Sequence, residues 1–178
     1  QRQMGIRDRF ILIPEFFLEE IISQMQTKIK IIKKDVHRSY IPYHKKGGSV
    51  PRPILEKKFR LLVSLYLSAQ MQDFFDTMTG LELMPCPERD LHACALYLYT
   101  EVGDHIGYHF DTSYYQGSRY TALLGIVNRS ESVLDYELFH KKENKEIRRG
   151  SASIEPGTLV FFNGDKLRHR VTPSGLGC

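Results

Sequence analysis

The hydrophobic periodicity of this chain changes at Gly80 from helical spacing to that of a run of strands, and that change limits its fold more than any other feature. From Glu15 to about Lys28, apolar Phe17, Leu18, Ile21, Ile22 and Met25 recur at spacings of three and four, the stripe of an amphipathic helix. Arg52 to about Thr79, with Pro53 near its first turn, carries Leu55, Phe59, Leu62, Tyr66, Ala69, Phe74 and Phe75 and reads as one long helix or two in series. Beyond Gly80 the texture is that of strands: Ala93 to Tyr99, Tyr120 to Val127, Leu134 to His140, Glu146 to Ile154 and Thr158 to Phe162, separated by Gly-, Asn- and Pro-rich turns. A further short strand is expected at Arg9 to Pro14, and the polar, basic residues 29 to 50, ending in Gly47-Gly48, read as a loop or poorly ordered flap. Helices followed by a run of strands predict an α+β fold, the helices buttressing one face of an antiparallel sandwich or barrel. No internal repeat or linker divides residues 1 to 178, which are expected to form a single domain with its helical part at about 1–80 and its strand-rich core at about 90–178.

Charge and cysteine content narrow the function classes. Hydrophobic residues at 42% and charged residues at 26% argue against both disorder and membrane residence, and no apolar run is long enough to span a bilayer. Much of the net charge of +4 lies in Lys28, Lys30, Lys33, Lys34, His37, Arg38, Lys45 and Lys46, with Tyr40 and Tyr43 interleaved. Nucleic acid is not the expected partner, because such a run is more often a solvated face; an anionic substrate or carrier protein stays open. Cys86, Cys94 and Cys178 are irregularly spaced, which predicts reduced thiols and a cytoplasmic protein rather than a disulfide framework. The chain begins at Gln1 without a leader of signal-peptide type and reads as a trimmed segment.

The chemistry-bearing pattern is His109-Phe110-Asp111, followed 58 residues after Asp111 by His169. On a strand, His109 and Asp111 would point from the same face, since side chains alternate. Two imidazoles and one carboxylate on one face of an octahedron form the ligand set of non-haem Fe(II) oxygenases, with three positions left for cosubstrate and dioxygen. The bland reading is a hydrogen-bonded His109–Asp111 pair in a polar pocket, and His169 with its surroundings counts against it. His105 is expected in the turn before the strand, and His92 and His140 at the surface.

Several stretches in order resemble the Fe(II)/2-oxoglutarate-dependent dioxygenase superfamily, with the prolyl-hydroxylase-like branch closest. They are Tyr99-Thr-Glu-Val-Gly-Asp-His-Ile-Gly-Tyr-His109-Phe-Asp111, then Arg119 to Val127, then Ile154-Glu-Pro-Gly-Thr-Leu-Val-Phe-Phe162, and finally His169-Arg-Val-Thr-Pro173. The resemblance covers roughly residues 90 to 178. It implies a double-stranded β-helix, or jelly-roll, core with N-terminal buttressing helices, and iron held by His109, Asp111 and His169. It implies 2-oxoglutarate as chelating cosubstrate, dioxygen as oxidant and ascorbate as a supporting reductant. It further implies hydroxylation as the outcome, because related halogenases lack the carboxylate that Asp111 supplies. Tyr99 corresponds to a place where the family often offers a hydroxyl to 2-oxoglutarate, and Thr121 is a weaker candidate. The basic residue that grips the distal carboxylate is expected at or just past Cys178, where the chain would be truncated; otherwise Arg119, Arg170 or Lys166 takes that role. Leu134-Asp-Tyr-Glu-Leu-Phe139 departs from the Gly-Gly-x-Thr-x-Phe of many prolyl hydroxylases, so contacts on that strand do not carry over. Tyr114 to Arg119 should overhang the mouth of the barrel and meet substrate.

The expected reaction is hydroxylation of an unactivated C–H bond in a small molecule such as a free or carrier-tethered amino acid. A protein side-chain hydroxylase, prolyl or other, is the alternative. Two readings of other classes are a zinc hydrolase, which would need a general base such as Glu101, and a metal-free jelly-roll binding module. Oligomeric state is not legible.

Overall fold

The computed structural model describes residues 10–112, 114–141 and 144–175. Its first element is strand β1 (Ile11–Ile13), and helix α1 (Glu19–Ile32) follows. This helix lies about four residues later than its periodicity predicts. The backbone N–H groups of Phe16 and Phe17 both donate to the Gly157 carbonyl (2.9 and 3.3 Å), which holds the chain out of helical geometry until Leu18. Glu19 and Glu20 then complement the positive end of the helix dipole. The buried stripe is Ile22, Met25, Ile29 and Ile32, spaced by three and four, while Leu18 is exposed.

The expected flap at residues 29–50 is ordered instead. After a 3-10 turn at Lys33–Asp35 come β2 (His37–Ile41) and β3 (Lys45–Val50), an antiparallel hairpin turned at Tyr43, whose φ is +61°. Gly47 and Gly48 sit inside β3 because Tyr99 and Val36 press against the positions where their Cβ atoms would stand. In sequence they look like a turn; in space they are close approaches.

The segment expected as one or two helices forms three: α2 (Arg52–Lys58), α3 (Arg60–Tyr66) and α4 (Ala69–Thr79). Buried Phe59, with φ −138° and ψ 50°, separates the first two. The Ser68 hydroxyl caps α4 by accepting from Met71 N–H (3.3 Å), and Gly80 closes it in the left-handed conformation.

Seven strands follow: β4 (Leu96–Leu98), β5 (His105–His109), β6 (Tyr120–Leu124), β7 (Leu134–Leu138), β8 (Arg148–Ala152), β9 (Leu159–Asn163) and β10 (Arg168–Val171). All pairings are antiparallel. One sheet runs β1-β9-β6, and the other runs β2-β3-β5-β10-β7-β8 with β4 also paired to β3. The mixed α/β character and antiparallel sheets match the α+β expectation.

Two apolar clusters organise the molecule. One joins α1, α2 and α3 to Val50, Leu96, Leu98 and Ile126. The other lies between the sheets and contains Leu134, Val160, Phe162 and Leu167, with Leu12, Leu123, Tyr136 and Val171 against them. Strand β9 is buried along its whole length, which explains its unbroken apolar run.

Between β4 and β5 the chain makes a tight turn around Asp104. This carboxylate is fully buried and accepts two hydrogen bonds from the Arg38 guanidinium (2.8 and 2.6 Å) and one each from the N–H groups of Thr100 and Glu101. Burial alone would raise its pKa. The Arg38 contacts and the two N–H donors outweigh burial and hold it below the usual carboxylate value.

Cys86 and Cys94 are free thiols, and Cys178 lies outside the described residues. Among the described residues, no helix is long and apolar enough to cross a membrane.

Candidate metal centre

His109 ends β5, and His169 lies directly opposite it on β10. The register between these strands slips between the pair His169–His109 and the pair Val171–Ile106. One extra residue in β5 is thereby accommodated as a bulge. His169 and Val171 are two residues apart and share a face, so the bulge brings both Ile106 and His109 to that inner face. Asp111 lies just past the strand's end. It is placed by its own N–H, which donates to the Gly164 carbonyl (3.0 Å), rather than by strand alternation.

The three side chains converge. One donor atom from each of His109, Asp111 and His169 lies within 4.8 Å of the others. His109 Nε2 is 3.4 Å from Asp111 Oδ1, and His169 Nε2 is 3.8 Å from Asp111 Oδ2. Cis donors held at about 2.1 Å by one ion stand about 3 Å apart, so these separations fit a shared metal.

The tautomers fit too. His109 Nδ1 lies 2.8 Å from the Gly107 carbonyl and His169 Nδ1 lies 3.3 Å from the Leu167 carbonyl. A carbonyl only accepts, so each Nδ1 donates its proton there, which leaves Nε2 of each ring as the atom turned toward Asp111.

Burial and neighbouring groups act differently on the three donors. Burial raises the Asp111 carboxyl, but the His109 hydrogen bond, the nearby His169 and the Thr121 hydroxyl bring it down to about 2. His169 is lowered, chiefly by burial, and so favours the neutral imidazole. Burial also disfavours the charged form of His109, yet Asp111 and the Gly107 carbonyl outweigh it and raise its pKa.

The other residues singled out in the sequence are distributed around this centre. The Thr121 hydroxyl donates to Asp111 Oδ2 (2.7 Å), so it touches the carboxylate of the triad. Tyr99 follows β4 and packs against Gly47; burial first, then Tyr97, Asp104 and Asp111, push its hydroxyl upward, so it stays a proton donor. Arg119 has its Nη1 3.7 Å from Asp90 Oδ2, and its N–H donates to Asp165 (2.6 Å). Arg170 is paired with Asp135 and stacked on Tyr108, on the face of the sheet away from the triad, and Lys166 is exposed.

His105 begins β5, outside the turn expected for it, and its Nδ1 binds the Gly103 carbonyl. His92 and His140 are exposed, as expected. Glu101 pairs with Arg38 (2.9 Å). Tyr114 is exposed, and Ser113 beside it lies outside the described residues.

One residue beside the triad had not been singled out. Gly164 lets the backbone approach so closely that a Cβ there would stand 2.7 Å from Asp111 Cβ and 2.9 Å from the Thr121 hydroxyl.

No protein-family model and no curated protein matches the chain. Solved structures do. A prolyl-4-hydroxylase from Pseudomonas putida superposes with a TM-score of 0.67 at 13% identity, covering 94% of this chain and 86% of its own. The chain has the fold of the Fe(II)/2-oxoglutarate oxygenases. Two further structures of that fold are the non-haem α-ketoglutarate-dependent epimerase SnoN and carbocyclase SnoK from nogalamycin biosynthesis. SnoN gives TM-score 0.70 at 11% identity, covering 94% of this chain and 71% of its own. SnoK gives 0.66 at 13%, covering 95% and 80%. SnoN has also been solved with Fe3+, α-ketoglutarate and nogalamycin RO. One oxygenase fold thus carries a hydroxylase, an epimerase and a carbocyclase.

Proposed function

We propose that this chain is a single-domain Fe(II)/2-oxoglutarate-dependent oxygenase with a double-stranded β-helix core, and that it hydroxylates an unactivated C–H bond. The observation that carries the proposal is the convergence of His109, Asp111 and His169 within 4.8 Å, inside a fold shared with α-ketoglutarate-dependent enzymes. His109 Nε2, His169 Nε2 and Asp111 would hold the iron. When bound, the iron and 2-oxoglutarate supply dioxygen activation coupled to decarboxylation of the cosubstrate.

The chain's own residues then have separable tasks. The carbonyls of Gly107 and Leu167 fix which imidazole nitrogen faces the metal. Thr121 occupies Oδ2 of Asp111 and thereby orients the carboxylate. Tyr99, kept protonated by burial, offers its hydroxyl to a cosubstrate carboxylate. Phe162, edge-on to His169 at 4.9 Å, keeps water from that side of the imidazole. The substrate is a small molecule such as an amino acid, and the two free thiols suit a cytoplasmic setting.

The test is an anaerobic titration of metal-free protein with Fe(II) and 2-oxoglutarate, followed by the visible charge-transfer band of the chelated cosubstrate. A band that His169→Ala lacks is expected. No band in the parent protein would return the site to a zinc or metal-free reading.

A further inference from the structure

The basic hairpin delivers one cation to the inner face of the larger sheet. Lys45 on β3 is registered opposite Ile106 of β5, and Ile106 is registered opposite Val171 of β10. Residues directly opposite on neighbouring strands share a face. Val171 packs into the cluster between the sheets, so Lys45 points inward, on the face that carries His109 and His169.

Its ammonium stands 5.2 Å from the centre of the Tyr97 ring, and His109 feels its charge. The side chain is half-buried, and burial lowers its pKa. No carboxylate among the described residues lies within ion-pair distance of it.

The other cations nearby are engaged. Lys46, next in sequence but on the opposite face, donates to the Val102 carbonyl near Glu101 and Asp104. Arg38 holds Asp104, Arg119 lies toward Asp90, and Arg168 and Arg170 pair with Glu137 and Asp135. A half-desolvated ammonium whose described partner is an aromatic face is costly to keep and gains from an anion. Asp111 cannot serve as that anion, because its oxygens already face Thr121 and the two imidazoles.

We propose that Lys45 is a carboxylate-binding residue on this inner face, gripping an acid group of a molecule that lies beside the His109–Asp111–His169 centre and the Tyr97 ring. The carboxylate belongs either to the cosubstrate, as its distal acid group, or to a carboxylic-acid substrate. The inference rests on the oxygenase reading only for what else the molecule touches.

Two variants beside the parent separate these cases: Lys45→Met, which keeps the apolar stem, and Lys45→Arg, which keeps the charge. Each is titrated anaerobically with 2-oxoglutarate and with 2-oxobutyrate, which lacks the distal acid, using the charge-transfer band. Each is then probed at saturating 2-oxoglutarate with free L-amino acids and their amides, reading perturbation of the band.

If the cosubstrate is held, Lys45→Met weakens 2-oxoglutarate by about 10- to 100-fold, leaves 2-oxobutyrate unchanged, and is rescued by Lys45→Arg. If a substrate acid is held, 2-oxoglutarate affinity is unchanged, and Lys45→Met removes a perturbation that amino acids cause and their amides do not. Unchanged 2-oxoglutarate affinity without such a perturbation overturns the proposal. Should the parent form no band, the oxygenase reading fails by itself. Calorimetric titration of metal-free protein with succinate then decides Lys45: weaker binding in Lys45→Met supports the contact, and equal or absent binding overturns it.

Discussion

At the scale of single residues, the candidate centre depends on contacts just behind the three donors. Thr121→Val keeps the shape of the side chain and deletes the hydroxyl that orients Asp111. Iron affinity is expected to fall roughly 10- to 100-fold, with Thr121→Ser close to the parent, as read from the Fe(II) titration. Gly164→Ala acts by sterics. A methyl group 2.7 Å from Asp111 Cβ forces that side chain or its strand to move, at a cost of about 1–3 kcal/mol. The expected outcome is a folded protein by circular dichroism, with a lowered Tm and little iron bound. Neither residue could be assigned its part from sequence. Thr121 is legible in the sequence only as a weaker candidate for a hydroxyl offered to 2-oxoglutarate, and the closeness of Gly164 to Asp111 arises from the hydrogen bond between two segments more than fifty residues apart in the chain.

At the scale of elements, the hairpin β2–β3 and the turn before β5 are fastened by a cluster of ion pairs centred on the buried Arg38–Asp104 contact. Asp104→Asn leaves Arg38 without its buried partner, and a loss on the order of 3 kcal/mol is expected, the low end for a buried pair because Arg38 is a third exposed. Denaturant midpoints of parent and variant measure it. The pH dependence has a definite sign. The folded-state pKa of Asp104 lies below its unfolded value, so the contribution is complete above the ordinary carboxylate pKa of about 3.9 and is lost as pH falls through the depressed value. The gap between parent and variant should therefore be wide at pH 7 and narrow toward pH 3. A gap that stays constant would mean that Asp104 acts through shape rather than charge. The hairpin itself has no local signature. Gly47-Gly48 and the lysines look like a loop, and what makes them a strand is pairing to β4 and β5, elements some fifty residues away.

At the scale of the whole molecule, the two sheets hold an apolar cluster between them, and the triad stands at its edge, where His169 meets Phe162. A ligand that binds only the assembled triad stabilises the fold by mass action. At an Fe(II) concentration a hundred times its Kd, the gain is about 2.7 kcal/mol. A rise in Tm with Fe(II) under anaerobic conditions, absent in His109→Ala and His169→Ala, is the expected result. An equal rise in those variants would place the metal elsewhere.

The sequence by itself determined the order of elements, the α+β character and the three candidate ligands, because each rests on local information: a periodicity, a punctuating glycine, a short pattern of residue types. Tertiary structure alone decided the rest. The β5 bulge sets the face on which His109 lies, the Gly157 carbonyl delays α1, and the edge of β5 turns a basic loop into a strand that aims Lys45 inward. Each of these depends on a backbone hydrogen bond or register between distant segments, and such pairings leave no trace in the residues on either side alone.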